Sequence, residues 1–422
     1  MYTDRQTRVG IACRTAPDAV VSGAALVREA MSSGNIEKPD HVFAFCSSSV
    51  GPLSFFNGIQ EVVGKEVPVT GGSAIGVISN HFLSYQNQTA GVMVVQSDSI
   101  KFRVKAAGGL GKGETETGER LAEALSREPE DKLFLIFYDS IKNPPTPDSP
   151  PMMNASSSLL RGIDRVLEQV VPVVGAGLVG DYDMGPTVQF CGASPESQHA
   201  VGVMVSGNVC AYHRIMHGCM PLDGIYRTIT CIEGPILRGL DGRPVVETVN
   251  EMFGSDEWQK EHPVDFLTIG VNCGDRYATR FQEGDYVNRL IVGVTPDKSG
   301  VVMFEPDLAE GTEIQFMVRD TERMTESARE NTERLMETLH ADKKRPLFGI
   351  YIDCAGRAGA YSHRTTEEAS EVQKVLNHHN IPFLGFYSGV EIAPLLGKSR
   401  GLDWTGVLII LAEDSEIGGK KI

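Results

Sequence analysis

A charged pair near the end of the chain has the residue types that bind a zwitterion. Arg357 follows the apolar segment LFGIYIDC, which ends at Cys354, and Glu391 ends the apolar segment that begins at Ile381. Ligands of open α/β sheets bind outside the carboxyl ends of the strands, where both side chains are expected. Arginine holds a carboxylate through two parallel hydrogen bonds. The pair therefore predicts a site for a ligand such as an amino acid; an ion pair between Arg357 and Glu391 that is only structural is the equal alternative.

Residues beside the strand ends extend this predicted site. Glycines in the segments 71–76 and 385–389 are expected to shape the pocket, because successive backbone N–H groups can face a carboxylate there. The full set of predicted ligand-binding residues is Arg357, Glu391, Cys354, Tyr387, Ser388, Gly385, Gly71, Gly72 and Ser73.

Two other kinds of chemistry are weaker alternatives. Cys354 as a nucleophile needs a base, and His363 lies nine residues further on, but no cysteine-hydrolase signature accompanies them. His213 and His217 have the spacing of a zinc-binding pair on a helix. Their segment VCAYHRIMHGC is typical of a strand, where residues four apart are separated by roughly 13 Å. We therefore predict no metal site and no catalytic residue.

Composition excludes several classes of function. The net charge is −16 and the sequence pI is near 5.1. Since no basic stripe is present, we expect no nucleic-acid partner. No apolar run reaches roughly 18 residues and the first residues lack an apolar leader, so we expect no membrane span. The eight cysteines form no CxxC pair, which is typical of a reduced, cytoplasmic protein.

A repeat in the sequence would position the predicted site. Each copy has an apolar strand, a helical stretch, a Pro-x-x-Gly motif that begins a second strand, and a later strand that starts with Gly-Val. Strands of this kind are covered on both faces, and strand–helix–strand units have right-handed crossovers. The motif recurs at 67–72, 171–176 and 381–386; the earlier strands cover 42–48, 133–140 and 347–354; the helices cover 51–63, 155–170 and 364–379; the later strands cover 91–95, 202–205 and 406–410.

The segment between the second and third copies has a different pattern. Short alternating strands and turn signals fill residues 225–319, and an amphipathic helix follows from about 321 to 340. We therefore predict an α/β fold of repeated strand–helix–strand units in two domains, with an antiparallel β insertion in the C-terminal domain. The N-terminal domain, residues 1–220, would hold two units, and the C-terminal domain, residues 221–422, would hold the insertion and the third unit.

The order of these elements resembles the FIST family. The segments IDCAGRAG and IPFLGFYSGVEIAP resemble the signature of the FIST C-terminal domain, and HGCMPLDGIYRTITCIEGPILRGLDGRPVVE resembles the junction between the two FIST domains. VFAFCSS, VPVTGGSAIG and VPVVGAGLVGD resemble the FIST N-terminal domain. One departure is Val390, which stands where the family carries glycine. A β-branched residue resists positive φ, so the backbone and any pocket behind it are expected to differ there.

The resemblance implies a small-ligand-binding sensory protein of intracellular signal transduction, with amino acids as the proposed ligands. It also implies that the output is a separate signalling protein, such as a histidine kinase or a cyclase. We expect no enzymatic activity and no cofactor. A haem-binding nitric-oxide sensor, as described for some FIST proteins, is one alternative, and a cysteine-dependent enzyme that uses Cys354 is another.

Overall fold

Three similar units and one inserted β domain make up the chain. The computed structural model describes residues 7–16, 21–146, 151–168, 170–362 and 366–415. Each unit has an edge strand, a helix, a strand, a second helix, a parallel strand, a two-stranded hairpin and a last strand. The predicted α/β fold class with repeated strand–helix–strand units is confirmed. None of the helices in the described part of the chain combines the length and apolar character needed to cross a membrane.

The elements follow the apolar runs of the sequence closely. Unit 1 contains β1 Thr7–Ala16, α1 Gly23–Ser33, β2 His41–Cys46, α2 Pro52–Val63, β3 Val69–Ser73, β4 Val77–Ser79, β5 Phe82–Ser84 and β6 Gln88–Ser97. Unit 2 contains β7 Ile100–Gly108, α3 Glu114–Leu125, β8 Asp131–Asp139, β9 Ile141–Asn143, β10 Met152–Met153, α4 Ser156–Leu167, β11 Val173–Leu178, β12 Gln189–Gly192, β13 Pro195–Glu196 and β14 His199–Gly207.

Unit 3 is interrupted after its first strand by the insertion. It begins with β15 Cys210–Met216. The insertion contains β16 Cys219–Pro221, β17 Arg227–Glu233, β18 Ile236–Leu240, β19 Arg243–Pro244, α5 Val245–Phe253, β20 Leu267–Asn272, β21 Tyr286–Val294, β22 Val301–Met303 and β23 Glu313–Arg319. Unit 3 then continues with α6 Thr321–Ala341, β24 Lys344–Cys354, α7 Ala369–His378, β25 Phe383–Ser388, β26 Val390–Leu395, β27 Lys398–Leu402 and β28 Gly406–Asp414.

The three units form three sheets that exchange hairpins in a cycle. Sheet 1 has the order β1-β6-β2-β3 and ends with the hairpin β12–β13 of unit 2. Sheet 2 has the order β7-β14-β8-β11 and ends with the hairpin β26–β27 of unit 3. Sheet 3 has the order β15-β28-β24-β25 and ends with the hairpin β4–β5 of unit 1. Each seam between sheets is therefore bridged by covalently continuous chain, and the repeat units do not share one sheet.

The main core lies between the three sheets. Phe45 and Phe386 stack with ring centroids 3.8 Å apart, and Phe137 contacts both rings edge-on at 5.5 and 6.1 Å. One helix pair covers the outer face of each sheet: α1 with α2, α3 with α4, and α6 with α7. The central strands are thus covered on both faces, which explains why their sequences are unbroken apolar runs.

The insertion is an antiparallel sheet that closes on itself, because β20 pairs with both β21 and β23. The sheets also cross the domain boundary predicted near residue 220. Strands β4, β5 and β15 lie before that boundary and pair within sheet 3. The domain division itself stays a prediction.

Candidate functional site

The predicted site residues lie in or just beyond the ends of the central strands, and all nine are buried. Arg357 follows β24 and is only 1% exposed. Its Nε donates to Oε1 of Glu368 at 3.0 Å and lies 3.4 Å from Oδ1 of Asp353. Its Nη1 donates to the carbonyls of His217 and Trp404 at 2.9 and 2.8 Å. The alternative of a structural ion pair is correct in kind, but its suggested partner, Glu391, is wrong: Arg357 pairs with Glu368 and Asp353.

Glu391 also differs from its expected position. The strand that follows Ile381 ends at Ser388, and Glu391 belongs to the next strand, β26, where it lies opposite Ala176 of β11. Ser388 Oγ lies 2.8 Å from its Oε1. Burial raises the pKa of this fully buried carboxyl well above its ordinary value, because the charged form would lose its hydration there. Gln189, on the hairpin that joins sheet 1, occupies the corresponding register position opposite Gly72.

The glycines of the predicted site approach neighbouring backbone. Gly71 and Gly72 lie inside β3 with φ values of 117° and 143°. A Cβ on either would come within 2.2 Å of a carbonyl oxygen, that of Ala44 or that of Val188. Ser73 in turn accepts the N–H of Val188 at 3.0 Å. Contrary to the expectation of a glycine turn around a ligand, these residues let the strands of sheet 1 pack closely.

Similar packing accounts for Gly385 and for the departure at Val390. A Cβ on Gly385 would lie 2.8 Å from the carbonyl oxygen of Tyr351. Val390 begins β26 opposite Gly177 and does not take a positive φ. The close contact falls one residue earlier, where a Cβ on Gly389 would meet Val179 at 2.3 Å.

Cys354 and Tyr387 have surroundings that limit their chemistry. Cys354 is 6% exposed, and burial raises the pKa of its thiol well above the ordinary value. Thiolates are the reactive form of cysteine, so this environment opposes nucleophilic attack. Its suggested base, His363, lies outside the described residues. Tyr387 is fully buried, and its hydroxyl lies 3.4 Å from Oε2 of Glu367.

A cavity of about 590 Å³ lies beside this cluster, at the seam between sheets 2 and 3. It is bordered by β15, the segment 323–334 of α6, the turn between β26 and β27, and the segment 281–284 of the insertion. The lining residues are His213, Arg214, Ile215, Gly218, Cys219, Met220, Phe281, Gln282, Glu283, Gly284, Arg323, Glu326, Ser327, Glu330, Asn331, Arg334, Pro394, Leu395 and Leu396. The volume falls in the range of small-molecule sites, and such sites favour domain interfaces.

Glu283 is the most firmly held charged group of this cavity. Its Oε1 accepts the backbone N–H of His217, the N–H of Gly218 at 3.1 Å and the hydroxyl of Ser327 at 2.6 Å. Its Oε2 has only a long contact, 3.4 Å, from the amide of Asn331. Burial opposes ionisation, but the hydrogen bonds from Ser327 and from the backbone N–H groups of His217 and Gly218 hold the pKa of the carboxyl below its ordinary value. Glu283 is therefore a fixed anion with one oxygen largely free.

His217 connects the cavity to Arg357. Its ring Nε2 donates to the carbonyl of Glu283 at 2.9 Å, and its Nδ1 accepts the N–H of Cys219 at 2.9 Å. Burial lowers its pKa, which keeps the ring neutral as this hydrogen-bond pattern requires. The spacing of His213 and His217 had suggested metal chemistry; in the structure His213 donates to the carbonyl of Pro394 at 2.9 Å. Among the described residues, no group of three or more acidic, histidine or cysteine side chains is arranged to hold a metal ion.

A corresponding cavity at the seam between sheets 1 and 3 does not have this charged lining. This second cavity, of about 560 Å³, lies between β1, α1 and the turn of the β4–β5 hairpin, which correspond to β15, α6 and the β26–β27 turn. Its one acidic side chain, Glu29, is half-exposed and paired with Arg14. The insertion contributes Glu283 to the seam between sheets 2 and 3, and β15 and α6 contribute the other charged lining residues.

Sequence reasoning missed this cavity for a physical reason. Glu283 lies in a single 3₁₀ turn between two strands of the insertion, and its nearest partners are 44 to 66 residues away in the chain. The one signal in the sequence was His217. Its spacing from His213 suggested a metal pair, and the strand pattern of the segment then argued against any site there.

Comparison with known proteins identifies the family. The FIST N domain matches residues 40–243 and the FIST C domain matches residues 246–394. The chain belongs to the FIST family, whose domains are small-ligand-binding sensory domains of signal transduction. A search of curated proteins gives no match.

Solved structures share only distant similarity with the chain. Cyanuric acid hydrolase from A. caulinodans has 11% identity and a TM-score of 0.34, over 97% of this chain and all of that one. A chorismatase has 10% identity and a TM-score of 0.35, over 97% of this chain and 98% of that one. PurL from T. maritima complexed with FGAR has 9% identity and a TM-score of 0.23, over 97% of this chain and 73% of that one. At these identities and TM-scores, the activities of these proteins are not assigned to this chain.

Proposed function

We propose that the chain senses a small zwitterionic metabolite, with an amino acid as the favoured class, in the cavity at the seam between sheets 2 and 3. The observation that carries the proposal is Glu283, whose Oε1 is held by three donors while Oε2 has one long contact. A fixed carboxylate of this kind accepts an ammonium group without reorganising, because its orientation is set before the ligand arrives.

The arginines on α6 are suited to the ligand's carboxylate. Arg323 and Arg334 line the cavity, are 58% and 62% exposed, and pair with Glu326 and Glu330 one helical turn away. Exposed pairs of this kind contribute about 0.3–0.5 kcal/mol, so a ligand carboxylate can recruit either arginine at little cost. A bidentate contact would then hold the carboxylate in a defined orientation.

The rim of the cavity favours a ligand with an apolar side chain. Met220 and Phe281 line the rim with 37% and 39% of their surfaces exposed, and Leu396 is 60% exposed. Such side chains gain by covering the apolar part of a ligand whose charged end sits deeper.

A thermal-shift screen of the standard amino acids tests this proposal. We expect at least one to raise the unfolding temperature of the wild-type protein. Glu283→Gln should weaken the binding of that amino acid about 10- to 100-fold, which corresponds to the loss of one charge-assisted hydrogen bond. Glu337→Gln, at an exposed position of α6 outside the cavity lining, is the matched control. Equal affinities of the two variants would contradict the assignment of the site.

We propose further that the chain acts without catalysis, without a resident cofactor, and through a separate signalling protein such as a histidine kinase or a cyclase. The burial of Cys354 supports the absence of cysteine chemistry. Haem suits the cavity poorly, because the lining carries three arginines and three glutamates, and its one histidine, His213, donates Nε2–H to a carbonyl. A haem titration of the same protein checks this: a Soret band that shifts with nitric oxide would favour the haem-sensor alternative.

A further inference from the structure

A continuous set of hydrogen bonds runs from the cavity to a buried ion cluster behind it. Glu283 accepts the backbone N–H of His217, and the ring of His217 donates back to the Glu283 carbonyl at 2.9 Å. The carbonyl of His217 accepts Nη1 of Arg357, also at 2.9 Å. Arg357 is thus connected to Glu283 through one intervening residue, His217, although Arg357 does not line the cavity itself.

The segment that carries this connection has little freedom to move alone. Gly218 has a φ of 68°, and a Cβ there would lie 2.5 Å from the backbone of Met324 on α6. His217 is 1% exposed, and both of its ring nitrogens are hydrogen-bonded. If the carbonyl of His217 moves, its backbone N–H and its ring, which both bond to Glu283, must therefore move with it.

Arg357 in turn is fixed by groups from three parts of unit 3. Its side chain contacts Asp353 at the end of β24, Glu368 at the start of α7, and the carbonyl of Trp404 before β28. The Trp404 ring is stacked on the guanidinium of Arg319, 3.9 Å away. The planar fork of arginine serves all these acceptors at once, which the point charge of a lysine cannot do.

Several polar atoms of this cluster are buried without a hydrogen bond to another protein group. They are Oδ2 of Asp353, Oε2 of Glu368, Nε of Arg319 and Nε1 of Trp404, and Oδ1 of Asp353 has only its ion-pair contact with Arg357 at 3.4 Å. Hydrogen bonds are stronger in such a buried setting, and an unpaired polar group is costly there. Any change in the position of Arg357 is therefore felt by Asp353 and Glu368, which depend on it for a partner.

We propose that Arg357 is a positioning residue that sets the ligand affinity of the cavity through His217, and that ligand binding is transmitted along the same bonds to the start of α7. The proposal rests on the ligand site proposed above. It assigns to the Cys-x-Gly-Arg segment a role behind the site, in place of the direct ligand contact that the sequence suggested.

The test compares Arg357→Lys with Arg289→Lys. Arg289 is an equally buried arginine, 2% exposed, with a carboxylate partner, Asp307, at 2.7 Å and two carbonyl acceptors, and it does not line the cavity. Both proteins and the wild type are titrated calorimetrically with L-leucine and with glycine. Long-range ¹H–¹⁵N spectra of the histidine rings report the tautomer of His217, which is protonated at Nε2 in the structure.

We expect Arg357→Lys to raise the Kd about 3- to 30-fold, in line with couplings carried through one intermediate residue, and to change the His217 ring signals. Arg289→Lys should change neither. An unchanged Kd beside an altered unfolding temperature, or a changed Kd with unaltered His217 signals, would overturn the inference. If Arg357→Lys does not fold, Glu368→Gln carries the same expectation, because it alters the main partner of Arg357 and leaves the cavity lining intact.

The two proposals fail in distinguishable ways. If the wild type binds neither titrant and no standard amino acid raises its unfolding temperature, the proposed ligand class is rejected, and the His217 spectra still decide whether Arg357 positions that residue. If the wild type binds and the Arg357→Lys and Arg289→Lys variants bind equally well, the ligand site stands and the positioning role is rejected.

Discussion

Replacing Glu391 with glutamine removes a titrating group from the buried interior and keeps its shape. The carboxyl is fully buried, and burial raises its pKa well above the ordinary value of 4.5. Between that ordinary value and the raised one, the folded protein keeps a proton that the unfolded chain releases. The free energy of unfolding of the wild type therefore falls as the pH rises, by about 1.4 kcal/mol per pH unit. Glutamine has no such dependence.

The structure sets the size of the effect. Glutamine keeps an oxygen for Ser388 but loses the long contact with the N–H of Thr405, at a cost of about 1 kcal/mol. At about pH 4.5 the Glu391→Gln variant should therefore be less stable than the wild type by about 1 kcal/mol. Between about pH 4.5 and pH 7, each pH unit below the raised pKa costs the wild type about 1.4 kcal/mol, so the variant should become the more stable protein as the pH rises.

Urea unfolding followed by circular dichroism over this pH range measures the difference. The control is Glu310→Gln, an exposed position whose change should be small and independent of pH. A stability difference between Glu391→Gln and the wild type that stays constant with pH, or that moves against the variant as the pH rises, would refute the argument that the carboxyl is neutral in the fold.

Three other predictions concern the ion cluster, the strand contacts and the thiol. Arg357→Met should destabilise the protein by about 3–5 kcal/mol, and Arg357→Met combined with Glu368→Leu should recover most of that loss; equal unfolding midpoints for the single and double variants would disprove it. Gly72→Ala should lower the free energy of unfolding by at least about 1–3 kcal/mol, since its Cβ would come within 2.2 Å of a carbonyl oxygen; an unfolding temperature equal to that of the wild type would argue against this contact. Iodoacetamide should label Cys354 more slowly than the partly exposed Cys231, and faster labelling of Cys354 would support the cysteine-enzyme alternative.

The central strands could be predicted from the sequence because their environment is uniform. Strands covered on both faces need apolar residues at every position, and the predicted strands at 133–140 and 406–410 lie where the structure has Asp131–Asp139 and Gly406–Asp414. The helix predicted at 51–63 also matches α2 within one residue. These patterns are local, so no knowledge of the partner strands is needed.

The exchange of hairpins between units could not be predicted in this way. Strands β4, β5 and β27 have three, three and five residues, too few to show a period, and their partners lie in other units. This is why Glu391 was assigned to the wrong strand and to the wrong partner. Arg357 was correctly expected after β24, but the identity of its partners depends on how His217 and Glu368 meet it across the fold.

Hydrogen exchange measured by mass spectrometry, with and without the amino acid that gives the largest thermal shift, tests the ligand site most directly. We expect slower amide exchange in three segments at the cavity: 217–220, 281–284 and 323–334. Glu283→Gln should remove this protection, and Glu337→Gln should keep it. Protection elsewhere, with unchanged exchange in these three segments, would rule out a ligand site in this cavity.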